Sequence, residues 1–271
     1  MISIIIPWYN RIELKQSLPS IISCCEDIGG ELVIVNFGGN KNILQKQVES
    51  YEQKIVIINV QSARAFNKPI AQNIGAKYTK YSSLFFCDCD ILFETNVIKT
   101  LLDKVTSQKN IFGTLQGVQE TEINSRKAGN LEMFGYHLRL RVKDGTEVNI
   151  IDNEEDAAIG TRQAPGILLV KRQDFEKVEG YNSALDGWGW EDQDMICRLT
   201  LYAKLNRVNH GVAFHISHDD KSRMVGYTNY QDRWQSRDIM FRRALNNYDK
   251  NDFLGTYSKD INAYAVEFGL N

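Results

Sequence analysis

The chain has 271 residues, 43% hydrophobic and 24% charged, a balance that builds a buried core and excludes a disordered polymer. Its 32 Lys and Arg stand against 34 Asp and Glu, so the net charge of -2 excludes the global basic footprint of a nucleic-acid binder. The 5 cysteines are odd in number and lack framework spacing, which excludes a disulfide scaffold, and no apolar run approaches the roughly 20 residues that span a bilayer.

Met1 leads straight into "ISIIIP" without a basic leader, so the expectation is a cytoplasmic protein with reduced thiols. "ISIIIP" reads as a buried strand ending at Pro7, with "WYNR" as the turn leaving it. A helical stretch, the apolar run "ELVIVN" closed by "FGGN", a second helical stretch and "KIVIINV" follow. This alternation predicts an α/β protein with a mostly parallel central sheet flanked by helices on both faces. "NKPIAQNIGAKYTK" reads as a helix feeding the strand "SSLFFCDCDILF". Residues 117–160 are polar and turn-rich and read as loops with short added strands. "GILLV" returns to the core, and a helix begins inside "GWGWEDQDMICRLTLYAKL". "RVNHGVAFHISHDD" reads as one more strand, and the aromatic, charged tail from Tyr230 onward as helical.

Two stretches carry chemistry. "FFCDCDIL" drives an apolar strand into Asp88 and Asp90, which share a face because strand side chains alternate. Paired carboxylates at a strand end of an open α/β sheet suit a hard divalent cation completed by nucleotide phosphates. A strand simply reaching solvent is the plain alternative. Cys87 and Cys89 raise a thiolate zinc site, but no second cysteine pair closes a tetrahedral sulfur shell, so both are expected in the core. "GWGWEDQDM", residues 187–195, gathers two tryptophans, two glycines and three carboxylates at a helix start. The helix dipole accounts for acids there, but not for Trp188 and Trp190.

Taken in order, "SIIIPWYNR", "NFGGN", "AQNIGAKY", "DCD" and "GYNSALDGWGWEDQDMICRL" resemble GT-A fold glycosyltransferases. The likeness is nearest to family 2 enzymes of bacterial polysaccharide synthesis, especially chondroitin-polymerase-type domains, and to β-1,4-galactosyltransferases and polypeptide N-acetylgalactosaminyltransferases. It covers residues 1–220 and rests most on D-x-D followed by G-W-G-x-E-D. The resemblance implies a GT-A catalytic domain over 1–220, with a nucleotide-binding half at 1–110 and an acceptor-binding half at 111–220. Residues 221–271 would be a lid loop and a helical C-terminal extension. It also implies inverting transfer of a hexose or N-acetylhexosamine from a UDP-sugar to a glycan hydroxyl, with Mn2+ or Mg2+, in bacterial surface polysaccharide synthesis. Galactose or N-acetylgalactosamine is favoured over glucose.

The resemblance also assigns residues. Asp88 would meet the sugar nucleotide and Asp90 the cation. Pro7, Tyr9 and Asn10 would line the uridine site, and Arg64, Asn73 and Gly75 would approach the nucleoside or donor sugar. Asn36 stands where the family usually has an Asp reading uracil, and its amide both donates and accepts. His215 fits the family's metal histidine, with His218 as the fallback; strand alternation lets only one of them face the cation. Asp192 would be the general base and Glu191 would orient hydroxyls. Trp188 would be a sugar platform, approached closely at Gly189, and Trp190, where a small residue is usual, would narrow the sugar pocket. Lys221 and Arg223 would reach phosphates from a lid.

Two other classes remain open at this stage. A nucleotidyltransferase needs a glycine-rich basic loop after the first strand, where "PWYNRIE" supplies only Arg11. A non-catalytic carbohydrate-binding protein has no need of Asp88, Asp90, Glu191, Asp192 and His215 together. A retaining mechanism is a variant. The tail face with Phe241, Arg242, Arg243 and Leu245 leaves peripheral contact with a membrane's inner face open, with a solvated helix favoured. Acceptor, linkage and oligomeric state are not legible.

Overall fold

A computed structural model describes residues 1–62, 65–122, 135–153 and 161–270. Its first strand, β1 (Ser3–Trp8), is buried at every position because helices cover both faces of the sheet. Alternation divides its side chains. Ile4 and Ile6 pack with α1 (Leu14–Asp27), β2 (Glu31–Phe37) and α2 (Lys41–Val48). Ile5 faces the other way, joining residues of β3 (Ile55–Val60) and α3 (Lys68–Lys77). Helix α3 starts sharply because Asn67 accepts from the Ile70 N–H at 3.0 Å and Pro69 follows in the first turn. Gly75 lets the helix approach β1, since a Cβ there would meet Ile5 Cγ2 at 2.5 Å.

The chain continues through β4 (Ser83–Phe86), β5 (Ile91–Leu92), α4 (Val97–Ser107), β6 (Ile111–Thr114) and β7 (Gly117–Glu120). A hairpin of β8 (Gly135–Arg141) and β9 (Glu147–Asn153) follows, then β10 (Thr161–Arg162), β11 (Leu168–Lys171), α5 (Arg172–Lys177) and α6 (Glu191–Leu201). After α6 come β12 (Asn206–Asn209), β13 (Val212–His215), α7 (Asp220–Arg223), α8 (Arg233–Asp249), α9 (Tyr257–Ala263) and β14 (Val266–Phe268).

The large sheet has the order β12-β6-β11-β4-β1-β2-β3-β14, and a smaller one the order β10-β7-β13-β5. Parallel pairing holds for β1 with β2 and β4, β2 with β3, and β6 with β12. The sheet is mixed because β11 runs antiparallel to both β4 and β6, and β14 antiparallel to β3. Two expectations change. "RVNHGVAFHISHDD" is two strands: Gly211, at φ 77°, turns the chain from β12 in the large sheet to β13 in the small one. The tail is helical over α8 and α9 but closes with an edge strand. Among the described residues no helix is long and apolar enough to cross a membrane.

Candidate active site

The large sheet's strand ends and the small sheet enclose a cavity of about 220 Å3. Asp88 and Asp90 enter it from the turn just past β4. The alternation expected of a strand persists through that turn, with Cys87 and Cys89 buried in the core. Burial pushes both thiols well above their ordinary range, so they are inert.

At one end of the cavity, His218 Nε2 lies 3.2 Å and His215 Nε2 3.6 Å from Asp90 Oδ2. One atom from each of the three residues fits within 4.8 Å of the others. Both histidines therefore converge, where the sequence predicts one. His215 ends β13, and His218 lies beyond the strand, where alternation no longer governs direction. Glu120 fixes the His215 ring, its Oε2 lying 2.7 Å from Nδ1, and is itself held by Arg162 Nε at 2.6 Å. This carboxylate–imidazole pairing leaves Nε2 turned to Asp90, as in the outer shell of metal sites. Burial alone would raise the Asp90 carboxyl, but the charge and hydrogen bond of His215, then His218 and Arg11, hold it well below the usual range. Arg11 Nη2 is 3.0 Å from Asp90 Oδ2, while Asp90 Oδ1 is buried with no hydrogen-bond partner among the described residues. One carboxylate and two imidazoles, with an acceptor oxygen in reserve, are a donor set that fits a divalent cation such as Mn2+.

Across the cavity, α6 begins at Glu191 directly after Trp190, whose φ of 68° sets the helix start by a left-handed turn without a side-chain cap. Lys68, the first residue of α3, meets the acids there: its Nζ is 2.9 Å from Asp88 Oδ1, 2.9 Å from Asp192 Oδ2 and 3.4 Å from Glu191 Oε1. Three carboxylates thus share one ammonium. Burial, reinforced by the charge of Asp192, pushes the Glu191 carboxyl up to about 8. Burial also raises Asp192, since desolvation and the Asp88 charge outweigh one lysine. Lys68 itself is driven well above its ordinary range, because the three carboxylates overcome its burial. Gly166 makes room for this cluster: a Cβ there would meet Asp192 Oδ2 at 2.7 Å and Asp88 Oδ2 at 3.2 Å.

Trp188 lines the cavity; its backbone N–H donates to Ser236 Oγ of α8 at 2.7 Å, and the Arg233 guanidinium lies 5.8 Å from its ring. Gly189, at φ 90°, also lines the cavity. Trp190 also lines the cavity, and its ring, 5% exposed, stacks on Phe241 of α8 at 4.5 Å. That contact leaves Phe241 half-buried.

Pro7 and Tyr9 line the cavity, Tyr9 stacked on Phe66 at 5.6 Å. The expected nucleotide contacts Asn10, Asn36 and Asn73 sit elsewhere. Asn10 Oδ1 accepts from the Asn40 N–H at 2.7 Å. Asn36 is 2% exposed and binds Gly39 and Asn59, and Asn73 is fully buried between Tyr181 and Asp260. Their amides hold turns and helix α3 in place. Arg64 lies outside the described residues. Of the proposed lid cations, Arg223 reaches the cavity wall. Lys221 is exposed on the short helix α7.

Sequence reasoning missed Lys68, Glu120 and Gly166. Only Lys68 left a signal. A lysine at the first position of a capped helix sits against the helix dipole, so something outside the helix must hold it.

The sequence model of "Glycosyltransferase like family 2" matches residues 3–237. No curated protein matches the sequence. Among solved structures, GalNAc-T7 with UDP, GalNAc and Mn2+ superposes at a TM-score of 0.62 with 15% identity, covering 91% of this chain and 47% of that one. The chain thus spans about half the length of GalNAc-T7. TarS of S. aureus, residues 1–349, gives 0.51 with 15% identity, covering 92% and 72% of the two chains. The mannosyltransferase PcManGT of Pyrobaculum calidifontis, with GDP-Man and Mn2+, gives 0.52 with 14% identity, covering 97% and 74%. At these identities the likeness is one of fold, and that fold is the GT-A glycosyltransferase architecture.

Proposed function

The chain belongs to glycosyltransferase like family 2, and from that premise we propose that it transfers a hexose or N-acetylhexosamine from a UDP-sugar to a glycan hydroxyl, with metal dependence and inversion. Membership supports a glycosyltransferase over the nucleotidyltransferase and non-catalytic readings. The observation that carries the finer reading is that Asp90, His215 and His218 converge in the wall of the same cavity that Asp192 lines. Galactose or N-acetylgalactosamine is the preferred donor sugar, and a bacterial surface glycan the preferred acceptor.

Asp90, His215 and His218 would hold Mn2+ or Mg2+, and a cation there neutralises charge developing on the diphosphate. Manganese is preferred, because two imidazoles suit it better than magnesium. Mn2+ in the GalNAc-T7 and PcManGT structures, with UDP and GDP-Man respectively, agrees with this reading. Pro7 and Tyr9 contact the base, Asp88 the sugar nucleotide and Arg223 the phosphates. Glu191, still largely protonated at neutral pH, donates to a sugar hydroxyl, while Trp188 offers its face to a sugar ring.

In the transfer, the acceptor hydroxyl oxygen attacks the anomeric carbon from the side opposite the diphosphate. The bond from that carbon to the phosphate oxygen breaks with its electron pair on the leaving oxygen. The hydroxyl proton passes to Asp192, and the anomeric configuration inverts.

Calorimetry of UDP binding tests the metal end. Wild type is expected to bind UDP with Mn2+ and far more weakly without it, and His215→Ala and His218→Ala each to weaken the Mn2+-dependent binding. Binding indifferent to Mn2+ would sink the proposal. Asp192→Asn is expected to keep that binding while UDP release falls by about 10²-fold or more.

A further inference from the structure

Lys68 lies at the centre of the acid cluster but has no part in the transfer step above. It is 8% exposed and belongs to α3, which otherwise packs on β1, β2 and α9, and it is the residue of that helix that lines the cavity. Its 2.9 Å contacts run to Asp88 on the donor side and to Asp192 on the acceptor side, with Glu191 at 3.4 Å. Gly166 leaves room for both carboxylates, since a Cβ there would meet Asp192 Oδ2 at 2.7 Å and Asp88 Oδ2 at 3.2 Å. Asp192 Oδ1 and Glu191 Oε2 are buried without hydrogen-bond partners among the described residues. The other oxygen of each acid lies beside the Lys68 ammonium.

We propose that Lys68 is a positioning residue for glycosyl transfer: its ammonium ties the Asp192 carboxylate to Asp88, holding the acceptor's base and the donor's contact in one geometry. This rests on Asp192 being the base. A flexible carboxylate beside two others would rotate away from its like-charged neighbours, and an ångström of misplacement in a reacting group lowers turnover by about 10²-fold. The groups facing Asp192 are Lys68 of α3, Asp88 after β4, Glu191 of α6, and the phenols of Tyr181 and Tyr227. Lys68 is the only cation among them, so its removal leaves Asp192 among acids and phenols and makes its protonation easier.

The test is the pH dependence of UDP release from UDP-GalNAc with Mn2+, with water as the nucleophile. Lys68→Met is expected to lower turnover by about 10²-fold and to move the acid limb of the profile up by about one pH unit or more, while Mn2+-dependent UDP affinity changes by less than about threefold. Lys68→Arg keeps the charge in a different shape, so its acid limb is expected to stay in place while turnover falls less. Should Lys68→Met fail to fold, Lys68→Gln carries the same expectation. A neutral variant with wild-type turnover and acid limb would overturn the proposal, as would Lys68→Arg shifting the limb as far as the neutral variants do. Asp192→Asn separates the two readings: if it keeps turnover, the base assignment fails. If it loses turnover while the Lys68 variants behave as wild type, only this inference fails.

Discussion

Asp88, Glu191 and Asp192 crowd one ammonium, and the residue that yields is Glu191. With its carboxyl pushed up to about 8 from an ordinary 4.5, the folded chain keeps a proton that the unfolded chain releases. That proton favours folding below the unfolded value, and the contribution is lost as pH rises from about 4.5 through about 8. Glu191→Gln is therefore expected to gain on wild type as pH rises, by about 1–3 kcal/mol at pH 9 relative to pH 4, read as a difference in thermal midpoint across pH. Equal midpoint differences at both pH values would contradict the burial argument. Glu120 acts at the other end: Glu120→Gln is expected to weaken Mn2+ affinity about tenfold, measured by calorimetry, because the His215 ring loses a charged partner. The sequence made Asp88, Asp90 and Asp192 legible, since carboxylates embedded in apolar or aromatic runs have no structural need. Lys68 and Glu120 were not legible as site residues. They meet their partners across 124 and 95 residues of chain, so the position of Lys68 against its helix dipole signals that something holds it but not what.

At the level of elements, α3 brings Lys68 to the acids that follow β4 and begin α6. Gly75→Ala is expected to cost about 1–3 kcal/mol in denaturant unfolding, because the new methyl overlaps Ile5, while leaving Mn2+-dependent UDP binding unchanged. A loss of UDP binding without a loss of stability would return Gly75 to the ligand role that the sequence suggested. Trp190→Ala removes the ring stacked on Phe241 and is expected to cost about 3–5 kcal/mol, with α8 loosened from the motif. The second tryptophan of "GWGWEDQDM" is thus explained by a neighbouring helix. The alternation of strands and helices through α3 was readable because each apolar run had one period and clear punctuation. The split at Gly211 and the edge strand β14 were not. Short strands are chosen by which sheet edge is open, a property of the assembled fold rather than of the segment.

For the whole molecule, the cavity is bounded by residues of both sheets together with α3, α6 and α8, so a ligand that fills it bridges parts of the chain distant in sequence. UDP with Mn2+ is expected to raise the thermal midpoint, by about 2.7 kcal/mol of linkage at a hundredfold excess over the dissociation constant. The central claim is that Asp90 and its two histidines serve nucleotide-sugar chemistry. Its most direct test is UDP release from UDP-GalNAc and UDP-Gal with Mn2+, comparing wild type with Asp90→Asn of verified fold. Release by wild type is expected to stop on chelation and to fall by about 10²-fold or more in Asp90→Asn. Full release by Asp90→Asn, or release unaffected by chelation, would contradict it.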